Sequence, residues 1–210
     1  MPAAPSTDGP PAGVILAGGR SKRMGGTPKA LAPLAARPLL QHVIDRVAPQ
    51  VDELYLSVEK TSKALGAFGL RQVPDPEPDA GPLAGMLAAM QQMAAERHWL
   101  LLVPCDAPFL PSDLAMCLLD CAARSSLPGA VVSYRCELQP TFSIWHRSIL
   151  QRLEQAVDRD GMAGFKQFLE VVETATLEWP RADPSPFFNI NDRQSLVDAG
   201  RILDQHVRTR

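Results

Sequence analysis

The sequence predicts an α/β protein built on a mostly parallel central sheet, and two observations carry that reading. Apolar runs that read as strands alternate with stretches of helical periodicity through roughly the first 130 residues. Strands linked through helices in this way pair in parallel by right-handed crossovers. One run, residues 99–103, is unbroken Trp-Leu-Leu-Leu-Val, the pattern of a strand covered on both faces.

Taken in order, residues 1–12 are mostly Pro, Ala, Ser and Gly, too little apolar material to order themselves, and are expected to form a flexible tail. Residues 13–210 are expected to form a single domain, which the length suits. The first strand, Gly13-Val14-Ile15-Leu16, ends in the small run Ala17-Gly18-Gly19. Leu39, Leu40, Val43, Ile44 and Val47 recur at helical spacing, and Leu54-Tyr55-Leu56-Ser57-Val58 is the second strand. Val73-Pro74-Asp75-Pro76-Glu77-Pro78 reads as a loop, followed by an Ala- and Met-rich helix over 82–96. The strand at 99–103 ends at Pro104-Cys105-Asp106, and Pro111 and Ser112 open a helix over 113–124. A strand over 130–134 follows, then helices over 148–157 and 165–172 and a strand over 174–179; residues 135–147 carry no assigned element. The final helix opens with Asn191 and, three residues on, Gln194, which resembles a capping box. No internal repeat is visible.

Bulk properties narrow the function. With 46% hydrophobic residues there is ample material for a core. A net charge of −2 gives no electrostatic case for nucleic acid, so any phosphate must be held locally by placed cations and backbone amides. Cys105, Cys117, Cys121 and Cys136 do not form a disulfide framework for a chain this long. Cys117 and Cys121, four apart in a helical pattern, read as buried thiols, since a zinc site there lacks two ligands. The N-terminus has neither a basic region nor an apolar stretch, and no segment approaches the ~20 apolar residues of a membrane span. The expectation is a cytoplasmic protein with no membrane or nucleic-acid partner.

In parallel sheets ligands sit beyond the carboxyl ends of the strands, so the loops that follow strands are where chemistry is sought. Leu16, Ala17, Gly18 and Gly19 open one such loop, where glycines let amides approach phosphate oxygens. Arg20, Lys22, Arg23 and Lys29 follow, enough charge to neutralise much of a triphosphate, although a solvated basic turn has the same composition. The loop is neither a Walker A loop nor a dinucleotide fingerprint. Asp106 follows the buried strand, placed to hold Mg²⁺ against phosphates or, alternatively, to make a turn before Pro108. Gly81 and Gly85 flank a helix start, for a ligand or for close packing, and Asp75 stands before them as a ribose or base contact or a loop rim.

Together LAGGRSKRMGG with Lys29, GPLAG at 81–85, VPCDAPFLP at 103–111 and FFNIN at 187–191 resemble the molybdenum cofactor guanylyltransferases, in that family's order across 13 to about 200. The resemblance implies a Rossmann-like three-layer α/β/α nucleotidyltransferase fold, and transfer of GMP from GTP to molybdopterin or Mo-molybdopterin with pyrophosphate released. It makes Leu16, Ala17 and Gly18 backbone contacts to GTP, Lys29 the phosphate-binding lysine, Asp75 a nucleotide contact, and Asp106 the Mg²⁺ and GTP ligand. Asn191 stands where related sugar-phosphate nucleotidyltransferases place a second metal contact. Lys29, Asp106 and Arg23 are the expected catalytic residues, acting by positioning and charge neutralisation with no protein nucleophile. Molybdoenzymes or cofactor-delivery proteins are the implied protein partners. Four positions depart from the family pattern: Pro28, Glu59, Gln139 and the 160–164 segment. The Pro28-Lys29 pair resembles cytidylyltransferases of the same fold, so a molybdopterin cytidylyltransferase or a sugar-1-phosphate nucleotidyltransferase is the alternative enzyme. A non-catalytic nucleotide-binding module is the alternative outside catalysis.

Overall fold

Side chains on successive strand residues point to opposite faces, and here each face feeds its own core. The structure is a computed structural model, described for residues 9–18, 28–76 and 81–208, without the side chains of 206–208. In chain order it comprises β1 (Ala12–Leu16), the short pair β2 (Pro33–Leu34) and β3 (Arg37–Pro38), α1 (Leu39–Val47), β4 (Glu53–Val58), α2 (Lys63–Gly66) and β5 (Arg71–Pro74). Then come α3 (Pro82–Gln92), β6 (Trp99–Pro104), α4 (Leu114–Ser125), β7 (Gly129–Tyr134), β8 (Glu137–His146), α5 (Leu150–Glu154), α6 (Phe165–Leu169), β9 (Ala175–Glu178) and α7 (Arg193–Arg208).

The main sheet has seven strands in the order β5-β4-β1-β6-β8-β7-β9. Every pairing is parallel except those of β8, which runs against both β6 and β7. Ile15, Leu56, Leu101 and Val103 face α1 and α4, packing on Leu40, Val43 and Leu118. Val14, Leu16, Leu100 and Leu102 face the other way, onto Leu83, Met86 and Met90 of α3 and onto Leu153 and Phe168. This is a three-layer α/β/α arrangement with a mostly parallel sheet, as the sequence predicts. The chain leaves β1 for β4 and β5 on one side and returns to β6 on the other. The order therefore reverses between β1 and β6, and such switch points open a crevice at the carboxyl edge.

Several elements differ from the sequence reading. The proline-rich loop begins as strand β5, whose register pairs Ser57 with Val73 and Val58 with Pro74. At the sheet's edge a proline costs no ladder bond on its open side, so Pro74 is tolerated. Strand β8 spans the unassigned stretch. Its hairpin turns on Arg135 and Cys136 at φ 55° and 64°, and the β2–β3 hairpin turns on Ala35 and Ala36 at φ 48° and 62°. Two-residue turns of this kind ordinarily announce themselves with Asn or Gly, and neither is present here. The β7–β8 register shifts between Val131, opposite Ser143, and Val132, opposite Gln139. Ser143 Oγ donates to the Pro140 carbonyl inside the bulge and accepts from Trp145 Nε1, each at 2.8 Å.

The helix expected over 148–157 begins as a 3₁₀ turn (Arg147–Ile149) and, after α5, widens into a π turn (Gln155–Arg159) that ends before Gly161 at φ 65°. The cap of α7 lies one residue beyond the expected position. Asp192 Oδ1 accepts from the Ser195 N–H at 2.8 Å, and Ser195 Oγ accepts from the Asp192 N–H at 3.0 Å and the Asn191 N–H at 2.9 Å, a reciprocal box that uses neither the Asn191 side chain nor Gln194. Among the described residues, no helix is long and apolar enough to cross a membrane.

Candidate active site

The parallel strands end level with one another, because Leu16 is paired with Ser57 on one side and Pro104 on the other. Backbone bonds carry the ladder one step further. Ala17 N–H donates to the Ser57 carbonyl at 2.8 Å, Cys105 N–H to Leu16 at 3.0 Å and Asp75 N–H to Val58 at 2.8 Å. The chain therefore leaves β1, β4, β5 and β6 along one edge, with Asp106 beside the β1/β6 switch point.

Lys29 reaches that point from a three-residue 3₁₀ turn, Lys29–Leu31, anchored by the buried Ala30. Its ammonium forms an ion pair with Asp106 Oδ2 and donates to Asn191 Oδ1 at 2.8 Å. Asn191 arrives from the far end of the chain because the segment before it is nailed down. Phe187 sits among Phe142, Tyr134 and Trp179, with ring centroids 4.9, 5.5 and 5.6 Å away. Ile190 is buried with Leu34 and Leu39, and its N–H donates to the Asp106 carbonyl at 2.9 Å. With the helix cap assigned to Asp192, the Asn191 amide is left to the cluster. Asp106 makes no helix cap: the N-cap of α4 is Asp113.

The donor set fits a hard divalent cation. Asp106 Oδ1 is buried with no hydrogen-bond partner, and the Asn191 amide oxygen stands on the same ammonium. Among the described residues, no group of three or more His, Cys, Asp or Glu could hold a metal by itself. A cation here would complete its shell with water and phosphate, the usual habit of Mg²⁺. Cys105, next to Asp106, is no nucleophile: burial first, then the Asp106 charge, pushes its thiol up to about 12. Cys121 is buried as expected, whereas Cys117 is half-buried and Cys136 exposed.

Asp75, Gly18 and Glu59 lie along the same edge of the sheet, at the ends of β5, β1 and β4. A Cβ on Gly18 would stand 3.1 Å from Asp75 Oδ2 and 3.6 Å from the Glu59 nitrogen. Burial raises the Asp75 carboxyl above its ordinary value, Ser57 opposes that shift, and Glu59 adds to it. The glycines of GPLAG have packing reasons. Gly81 has φ +82° and a Cβ there would lie 2.5 Å from the Ala163 carbonyl oxygen, while one on Gly85 would lie 2.3 Å from Ser57 Oγ. Gly19, Arg20, Lys22 and Arg23 lie outside the described residues. Two polar groups at this edge escaped the sequence reading. Ser57 looked like any strand residue, and Asn189, whose Oδ1 is buried without a partner, was visible only as a polar interruption of an aromatic run.

The family model for the MobA-like NTP transferase domain matches residues 13–176. The chain belongs to this family. A molybdenum cofactor guanylyltransferase from Rhodopseudomonas palustris is 37% identical over 193 residues, covering 90% of this chain and 92% of that relative. Among solved structures, the molybdopterin-guanine dinucleotide biosynthesis protein A of Archaeoglobus fulgidus superposes with a TM-score of 0.77 at 19% identity, covering 92% of this chain and 99% of that one. A Mycobacterium tuberculosis protein solved in complex with manganese has a TM-score of 0.67 at 18% identity, with 92% and 99% coverage. These two likenesses establish the fold.

Proposed function

We propose that this protein transfers GMP from GTP to molybdopterin or its molybdenum-bearing form, making the guanine dinucleotide and releasing pyrophosphate. One observation carries the reading: Lys29, Asp106 and Asn191 converge from three distant stretches at the sheet's switch point, with one Asp106 oxygen buried and unpartnered. Similarity over nine-tenths of the chain to a named guanylyltransferase supports the choice of base and acceptor.

In this reading the acceptor's terminal phosphate oxygen attacks the α-phosphorus in line. A new P–O bond forms, the bond to the β-phosphate's bridging oxygen breaks, and pyrophosphate leaves with that electron pair. The nucleophile is already an anion, so no side-chain nucleophile is required and the protein supplies position and charge. Lys29 exchanges its bonds to Asp106 and Asn191 for phosphate oxygens, and Arg23 joins it from the basic loop. The backbone of Leu16, Ala17, Gly18 and Gly19 borders the nucleotide along the β1 edge, the Ala17 N–H itself being given to the Ser57 carbonyl. Asp75 accepts from its nucleoside, and the backbone at Gly81 borders the same space. Asp106, with Asn191, would hold Mg²⁺, which when bound neutralises phosphate charge. The product would pass to a delivery protein or a molybdoenzyme.

The test is incubation with Mg²⁺, molybdopterin and each nucleoside triphosphate in turn, with the dinucleotide identified by mass. GTP is the expected donor. A product from CTP alone would make Pro28 the informative departure and the enzyme a cytidylyltransferase. Absence of any dinucleotide alongside a positive control enzyme would overturn transfer to molybdopterin.

A further inference from the structure

Two of the motif segments and Asp75 meet around one hydroxyl that no motif contains. Ser57, near the carboxyl end of β4, is 2% exposed. Its carbonyl holds the Ala17 amide at 2.8 Å, and its Oγ donates to Asp75 Oδ1 at 3.5 Å. The space for that hydroxyl exists because residue 85 is glycine, and the outer oxygen of Asp75 is approachable because residue 18 is glycine. Ala17 and Gly18, Asp75, and Gly85 are thus tied together through Ser57.

We infer that Ser57 is a positioning residue: its hydroxyl holds the Asp75 carboxylate in place, with the second oxygen presented across Gly18 to the nucleoside. This rests on the proposed reading of Asp75 as a nucleotide contact. A half-buried carboxylate beside another carboxylate is driven to take a proton or to turn away. Either change would spoil it as an acceptor for ribose hydroxyls or base N–H groups, because an ionised carboxylate accepts at both oxygens. A neutral donor on Oδ1 counters both tendencies without neutralising the charge the ligand meets. Among the described residues, the groups facing Asp75 leave that duty to Ser57. Glu59, at the end of β4, pushes toward protonation. Ala17 and Gly18 of the β1 end, and Pro82, Leu83, Ala84 and Gly85 of α3, have no titratable side chain. At 3.5 Å the bond is long, and bonds at such sites commonly tighten when the ligand arrives.

The test uses the full chain with Ser57→Ala, and with Ser57→Cys as a variant that better keeps the volume but offers only a weak donor. Three quantities are read: GTP affinity with Mg²⁺ by calorimetry, kcat at saturating substrate, and titration of the Asp75 carboxyl by NMR in ligand-free protein. Expected are a 5- to 10-fold loss of GTP affinity, roughly, kcat within about twofold of the parent, and an Asp75 titration moved to higher pH. In an Asp75→Asn background the Ser57 substitutions should cost nothing more. If Asp75→Asn weakens GTP binding while both Ser57 variants leave affinity and titration unchanged, the positioning role is wrong and the nucleotide contact stands. If Asp75→Asn leaves GTP affinity intact, the contact itself fails and takes this role with it. A moved titration with unchanged affinity also overturns the role, since the hydroxyl then tunes a carboxylate that binding does not use.

Discussion

The two ends of the central sheet handle their cations in opposite ways. At the amino end, Arg147 donates through its guanidinium to the Met93 and Ala95 carbonyls at 2.5 and 3.3 Å, beyond the last turn of α3. Its backbone N–H donates to the His98 carbonyl at 2.7 Å, and neighbouring Arg97 is paired with Asp52 at 2.6 Å. Those carbonyls have no ligand to turn to, so the contacts are permanent parts of the fold. At the carboxyl end Lys29 is held by side chains, Asp106 and Asn191, whose oxygens can equally serve a metal ion while the ammonium moves to a phosphate. A cation spent on backbone stabilises, and a cation spent on side chains at a strand-end crevice can be exchanged.

The largest effect expected from this contrast is at Asp106. Asn keeps the shape but offers a neutral ligand where a hard cation prefers carboxylate. Pyrophosphate release by Asp106→Asn should fall by about 100-fold or more, roughly 2.7 kcal/mol of lost transition-state stabilisation, with the melting temperature nearly unchanged. Full activity across a Mg²⁺ titration would remove Asp106 from the chemistry. Lys29→Ala comes next, with effects of opposite sign on two ligands. GTP affinity should drop about ten-fold or more for the loss of a charge-assisted bond. Mn²⁺ alone, followed by its paramagnetic resonance, should bind more tightly once the ammonium no longer sits on Asp106. Weaker binding of both would mean that Lys29 holds Asp106 in shape rather than competing for it.

At the opposite end Arg147→Ala should cost roughly 1–3 kcal/mol of stability, seen as a lower melting temperature, by stranding two carbonyls. GTP affinity of the folded variant should be unaltered, and a change there larger than the change in stability would break the contrast. The smallest effect concerns Asp75. Burial raises its carboxyl, so folding favours the protonated form. The stability it contributes is full below the unfolded-state value of about 4 and is lost as pH rises through the folded value. Asp75→Asn should therefore melt slightly higher than the parent at about pH 7 and no higher at about pH 4, while binding GTP more weakly. An unchanged melting difference across that range would show the carboxylate to be solvated.

Much of the carboxyl end was legible in the chain. The run from Trp99 to Val103 is long enough to cross the sheet, which puts Asp106 at its edge, and Lys29 follows a glycine-rich loop after the first strand. Other elements were harder to read. Two hairpins turn on Ala35-Ala36 and Arg135-Cys136, residues with no preference for positive φ, so tertiary pairing imposes turns that local chemistry does not announce. The same holds for Pro74, a loop residue by propensity and an edge-strand residue once β4 lies beside it.

By itself the sequence determined the mostly parallel α/β sheet, through the alternation of apolar strand runs with stretches of helical periodicity, and the placement of Lys29 and Asp106 in loops that follow strands. Only the tertiary structure decided which of these meet. Lys29 reaches Asp106 across 77 positions and Asn191 across 162, distances over which no local pattern carries information. The level ends of β1, β4 and β6, and the Ile190 amide seated on the Asp106 carbonyl, set that meeting. Ser57 shows the same limit in miniature. Its type fits any strand, and its place beside Asp75 and Gly85 follows from strand register and the close approach of α3, which are properties of packing.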